Sequence, residues 1–448
     1  MKPLLIINGT LVTAEKSTRE DIALAEGKII SIGQLTPASL PGYEVIDATG
    51  KLVFPGAIDP HVHMALPTPA GNSCDDFISG SRAAVAGGTT SIIDFVTPLR
   101  GQSLLEALDQ RREEAKDSRC NCTLHMGISE WNPQVASEVK QCIRNEGITS
   151  FKAYLAYRDT IGIGIEQLRE VMEVVGSEGG ILMVHCEDGE LISFLQMGFL
   201  YERKTGPAYH HLSRPPEAEI SAIREVTGLS ELTGCPVYIV HTSTAGGADL
   251  ILQAKEKGLK VFGETCPQYL LLNDSDYNEQ YSAEQILPYV ISPPLRKKED
   301  YDRLWRGLAD RTFDVVATDH CPFNLYGQKD RGKNDFTKIP NGAGGIEHRL
   351  PLLYSYGVLT KRISVNRFIE LVSTSPAEIF GWGNKKGKLM PGYDADIAIW
   401  DPDYEGTISV KNHLSKCDSE IYEGFQTQGR PELVIIGGRT YLPMTKYE

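Results

Sequence analysis

His61 and His63 stand two residues apart in Asp59-Pro-His61-Val-His63, directly after the apolar run Leu52–Ile58. Side chains alternate along a strand, so both imidazoles face one side and form half of a metal site. His185 and His241 end two later apolar runs, and Asp319 follows a last one. Imidazole plus carboxylate suits zinc; manganese, iron and cobalt also fit. A lone strand-end histidine is more often a hydrogen-bonded structural residue. The HxH pair, two further strand-end histidines and a closing aspartate favour metal when taken together. His125, His210, His211, His320, His348 and His413 are read as structural. His320 adjoins Asp319 and is expected to point the opposite way.

Lys152, in Phe151-Lys152-Ala153-Tyr154, has two readings. As an ammonium it snorkels to solvent. As a carbamate formed with CO2 it becomes an anionic ligand with two oxygens, able to bridge two cations. Two dications, the carbamate, Asp319 and a hydroxide then leave a small positive excess, suited to an oxyanion.

These residues need a scaffold that gathers strand ends. Eight β-rich apolar runs recur between about residues 50 and 380: Leu52–Ile58, Thr89–Val96, Thr123–Ile128, Thr149–Leu155, Gly180–His185, Val237–His241, Lys260–Glu264 and Asp314–Ala317. Helical patterns follow them, as in Leu104–Lys116, Ile165–Gly176, Ala218–Thr233 and Ala248–Lys257. Eight βα units predict an α/β fold, a (β/α)8 TIM barrel with its site at the C-terminal strand ends. Short alternating runs at both chain ends predict a small β-sandwich formed by both termini. The expected division is sandwich 1–50, barrel 51–384 and sandwich 385–448.

Composition sets outer bounds. The 448 residues are 41% hydrophobic and 23% charged, ordinary for a globular protein. A net charge of −14 disfavours nucleic acid and anionic membrane as partners. The start MKPLLIING reads as carrying no signal peptide, and no run reaches membrane-span length. Nine cysteines without a CxxC pattern read as reduced thiols. The expected location is cytoplasmic.

The motifs PGAIDPHVHM, AGGTTSIIDF, SFKAYLAY, LMVHCEDGELI, VYIVHTSTAGG, GETCPQYLLL, ISPPLR, ATDHCPF, IPNGAGGIEHRL, STSPAEIFG and PGYDADIAIWDP run nearly end to end. Together they resemble the cyclic amidohydrolases, and within them the dihydropyrimidinase/D-hydantoinase family. The resemblance implies two divalent metal ions, most often zinc: one held by His61, His63 and Asp319, the other by His185 and His241. Lys152, as N6-carboxylysine formed with CO2, would bridge them. It implies that Tyr157 donates its hydroxyl to the substrate carbonyl, that Ser292 and Asn341 hold the ring through backbone groups, and that Asp59 orients a ligand. The implied reaction is hydrolytic ring opening of 5-substituted hydantoins and dihydropyrimidines to N-carbamoyl amino acids by a binuclear-metal hydroxide, with Asp319 moving the proton. The implied assembly is a homo-oligomer, a dimer or tetramer.

Dihydroorotases and allantoinases are the alternatives within the superfamily. Dihydroorotases resemble HxHxR, with an arginine for the substrate carboxylate. Here the segment is His63-Met64-Ala65-Leu66, and the apolar Met64–Leu66 stretch is expected to line a pocket for uncharged ring substituents. Gly344 stands where many relatives have proline. Collapsin response mediator proteins are non-catalytic scaffolds of this fold that have lost metal ligands. Here all six ligand positions carry competent side chains, which favours the enzyme.

Overall fold

The computed structural model describes residues 2–442. Eight parallel strands lie side by side in chain order: Ala57–Val62, Thr89–Val96, Asn121–Gly127, Ser150–Tyr154, Ile181–His185, Val237–Ile239, Val261–Thr265 and Val315–Val316. All are fully or largely buried, as strands covered on both faces must be. Helices run antiparallel between them; Pro133–Arg144 starts on an Asn132 cap and buries Val135, Val139 and Cys142. The first and eighth strands meet through a single parallel bridge, Val62 to His320, and the His63 amide donates to the His320 carbonyl at 2.9 Å. Buried Arg349 adds to the closure, donating to the Ile58 and Val316 carbonyls. The sheet thus curls round so that both ends meet at the face carrying the site.

Strands from both chain ends build two further sheets. One has four strands, Leu4–Ile7, Asp21–Ala25, Lys28–Gly33 and Glu44–Asp47. The other has six, including Thr10–Val12, Leu52–Pro55, Ile397–Thr407 and Gln426–Ile436. Leu4, Ile6, Ile22, Leu24 and Ile29 pack against Val53, Ile397, Ile399 and Ile435 between them, which is a sandwich core. Residues 443–448 of the expected C-terminal sandwich segment lie outside the described residues.

One expectation needs correction. The run Leu52–Ile58 was read as a single barrel strand, but it is divided. Leu52–Pro55 pairs with Ile397–Trp400 in the terminal sheet, and the barrel strand begins at Ala57. Gly56 sits at the break, where any Cβ would collide with Thr90 on the next strand. Only glycine lets the chain pass this closely from one sheet into the other.

Candidate metal centre

The strand ends bring the six sequence-identified residues into one buried cluster. His61 is the penultimate residue of the first strand, Ala57–Val62, and His63 follows its end. The Nε2 atoms of His61 and His63 stand 3.2 and 3.1 Å from Asp319 Oδ1. His185 ends the fifth strand, and its Nδ1 faces His241 Nε2 at 2.9 Å. The His61 and His241 rings stack with centroids 5.4 Å apart, which joins the two pairs. His61, His241 and Asp319 each present a ligand atom within 4.8 Å of the others. Lys152 is wholly buried, with Nζ 5.1 Å from the centroids of both Phe95 and Tyr154. A snorkelling lysine is therefore ruled out.

The donor atoms fit a cation. His61 Nε2, which faces Asp319, and Lys152 Nζ are buried without a hydrogen-bond partner, and His63 and His241 each leave Nδ1 unpartnered. Unpartnered buried polar atoms are costly, and their concentration here points to a ligand. Two ligands of a tetrahedral ion, each at about 2.0–2.1 Å, stand roughly 3.3 Å apart. The 3.1 and 3.2 Å spacings around Asp319 Oδ1 agree with this. Burial pushes the imidazoles of His61, His185 and His241 below the usual histidine value. The rings are thereby kept neutral, the form that binds metal. Burial pushes Asp319 up, but His61, His63 and Lys152 hold its carboxyl below the ordinary value, so it stays anionic. Burial likewise brings Lys152 down to about 8, towards the neutral amine.

Two carboxylates that sequence reasoning missed fix the rings. Glu264, at the end of the seventh strand, bonds His61 Nδ1 at 2.7 Å and accepts from the His241 amide at 2.8 Å. Its other oxygen accepts from the Tyr238 hydroxyl at 2.8 Å. Glu187 bonds His185 Nε2 at 2.9 Å and pairs with Arg214. Each fixes the ring so that the opposite nitrogen faces the cluster. Alternation past His185 was the available signal for Glu187. Asp59 accepts from the Thr318 hydroxyl at 2.7 Å and from the His61 amide, so it holds two backbones rather than a ring.

The remaining residues line the same face. Tyr157 packs its ring 5.4 Å from that of His185, with the Arg214 guanidinium 5.2 Å over its face. The Asn341-Gly342-Ala343 turn lies between two site segments: the Gly342 amide donates to the Val290 carbonyl, and the Cys321 amide donates to the Ala343 carbonyl. Ser292 Oγ and Asn341 Oδ1 are buried without partners. Tyr157, His241 and Asp319 all have left-handed φ angles, 59°, 35° and 53°. Such conformations are disfavoured for these residue types and concentrate where function holds them. His320 points away as expected, bonded to Asp75 at 3.1 Å and accepting from the Gly345 amide.

The specificity expectation at Met64 is overturned. Met64 is fully buried among Val62, Phe77, Ala83 and Ala84, beneath the helix Phe77–Ala86. It shares the side of Val62, opposite to the histidines, for the same alternation that aligns them. Met64 therefore forms no pocket wall. Ala65, where an HxHxR arginine would stand, is half-buried with a left-handed φ of 46°.

A curled eight-stranded barrel with buried imidazoles, a carboxylate and a lysine at its strand ends defines an amidohydrolase. The amidohydrolase family model matches residues 52–441. A D-hydantoinase of Geobacillus stearothermophilus is 42% identical over 97% of this chain and 92% of its own. A D-hydantoinase of Ralstonia pickettii is 38% identical over 99% and 96%. The crystal structure of dihydropyrimidinase from Brevibacillus agri NCHU1002 superposes with a TM-score of 0.95 at 38% identity, over 98% of this chain and 95% of that one. The chain belongs to the dihydropyrimidinase/D-hydantoinase family of the amidohydrolase superfamily, as its motifs implied. It is a metal-dependent cyclic amidohydrolase that opens cyclic ureides by hydrolysis.

Proposed function

We propose that the protein opens 5-substituted hydantoins and dihydropyrimidines to N-carbamoyl amino acids, using His61, His63, Lys152, His185, His241 and Asp319 to hold two zinc ions. The observation that carries this reading is the buried cluster of imidazoles and a carboxylate at the strand ends, beside a buried lysine whose Nζ has no hydrogen-bond partner. His61, His63 and Asp319 would hold one ion and His185 and His241 the other, with Lys152 bridging both as N6-carboxylysine formed from CO2. Ions held there would acidify a bound water and polarise the scissile carbonyl.

The chain's own groups do the rest. Tyr157 donates its hydroxyl to the carbonyl oxygen as negative charge develops there. Asp319 takes the proton of the attacking water and returns it to the leaving ring nitrogen. Ser292 and Asn341 present backbone groups to the ring amides. Glu264 and Glu187 keep the imidazoles in orientation.

Two features support an uncharged ring over dihydroorotate. Ala65 offers no cation where HxHxR places one. Arg296 and Arg214 are partly committed to the protein: Arg296 donates to the Ser243 hydroxyl and the Arg214 carbonyl, and Arg214 pairs with Glu187, while Arg296 Nη2 and Arg214 Nε have no hydrogen-bond partner. A substrate carboxylate left without a partner is costly. Rates measured under one condition for dihydrouracil, a 5-aryl hydantoin, allantoin and dihydroorotate test the assignment. The first two should lead in kcat/KM, and dihydroorotate should be very poor. If dihydroorotate or allantoin leads, the family stands and this substrate assignment falls.

The proposed assembly is a homo-oligomer, dimer or tetramer. Phe194, Met197 and Tyr201 support it, exposed on the helix Gly189–Tyr201. The proposed location is cytoplasmic. No helix among the described residues is long and apolar enough to cross a membrane.

A further inference from the structure

A second set of metal-type donors lies apart from the six. His348 opens the helix Arg349–Leu353, and His413 and Glu420 flank a turn in the C-terminal segment. All three side chains are at most 10% exposed. His348 Nε2 and His413 Nδ1 both stand 3.1 Å from Glu420 Oε2, and the three ligand atoms lie within 4.8 Å of one another. His413 Nε2 bonds the Cys417 carbonyl at 2.9 Å, which fixes the ring with Nδ1 turned to the cluster. A carbonyl on the far nitrogen is how proteins orient a metal-binding imidazole. A small cavity of about 10 Å³, room for roughly one water, is lined by these residues together with Glu347, His320 and Ser415.

We propose that His348, His413 and Glu420 form a third zinc site, structural in role, with water from this cavity completing four-coordination. Two imidazole nitrogens and a carboxylate oxygen that converge within 4.8 Å are a ligand set of the kind zinc takes. Both 3.1 Å distances match those at the barrel mouth, 3.1 and 3.2 Å. The ion would fasten the Gly345–Arg349 segment to the C-terminal segment. That segment carries Arg349, which closes the barrel, and Gly345, whose amide holds His320 beside Asp319.

The test is zinc content per chain, measured on protein purified without added metal and dialysed against metal-free buffer. His348→Gln and His413→Gln should each hold one zinc fewer than the unaltered protein. Because the readout is a difference, it stands whatever the occupancy at the barrel mouth. Should both variants fail to fold, zinc-edge anomalous scattering from zinc-replete crystals of the unaltered protein decides. A peak in contact with His348, His413 and Glu420 is expected. Equal zinc in protein and variants, or no anomalous peak there, overturns the proposal and leaves a histidine–glutamate hydrogen-bond cluster.

Discussion

Lys152→Ala is expected to lose metal and ring-opening activity together, with turnover falling by at least about a thousandfold, the scale of several kcal/mol of cationic stabilisation. The expectation follows from burial. Lys152 Nζ has no hydrogen-bond partner and lies between two aromatic faces, and burial brings it down to about 8. A permanently charged ammonium there would repel cations held by the neighbouring imidazoles. A neutral amine would add to CO2 and release one N–H proton to water, becoming an anion with two oxygens, which would turn the one repulsive group of the cluster into a ligand. Short carboxylic acids, which present the same two oxygens, should partly restore metal and activity to Lys152→Ala. Lys152→Arg should stay inactive, because a guanidinium keeps its proton. Metal content and kcat measured together on the three proteins check this. Normal turnover in Lys152→Arg would remove the carbamate.

The second large effect is expected at Asp319. Asp319→Asn keeps the left-handed backbone, which asparagine tolerates, and keeps one oxygen towards His61 and His63. It loses the negative charge and the proton acceptor. Metal should be partly retained while kcat falls by at least about a hundredfold, the scale of a general base. His320 offers no replacement, since Asp75 and the Gly345 amide hold both its nitrogens away from the cluster. Near-normal turnover in Asp319→Asn would place proton transfer on another residue.

The parts of this protein that were legible in its sequence are those governed by strand alternation. Thr89–Val96 has the expected bounds, and His61, His63, His185, His241 and Asp319 meet because each lies at the end of a strand in one sheet. Charge left Lys152 with two readings, and only family resemblance chose the carbamate and singled out Tyr157, because neither a buried lysine nor a left-handed tyrosine has a spacing of its own. The same alternation, applied one residue further, places Met64 away from the site, and the expectation there followed hydrophobicity instead. Leu52–Pro55 was misassigned because one apolar run serves two sheets; Gly56 in its middle was the available mark of a break. Glu264 and Glu187 passed unnoticed because carboxylates that hold imidazoles act through tertiary contacts. His348, His413 and Glu420 come together only when the C-terminal segment folds back beside the barrel.

The central claim is that the buried cluster works by holding metal on a carboxylated lysine. It is tested most directly by kcat/KM for one good substrate on the same protein before metal removal, after it, and after restoration with zinc and bicarbonate, separately and together. The account predicts a fall of at least about a thousandfold on removal, with full recovery only when zinc and bicarbonate are supplied together. Undiminished turnover in protein stripped of metal would contradict it.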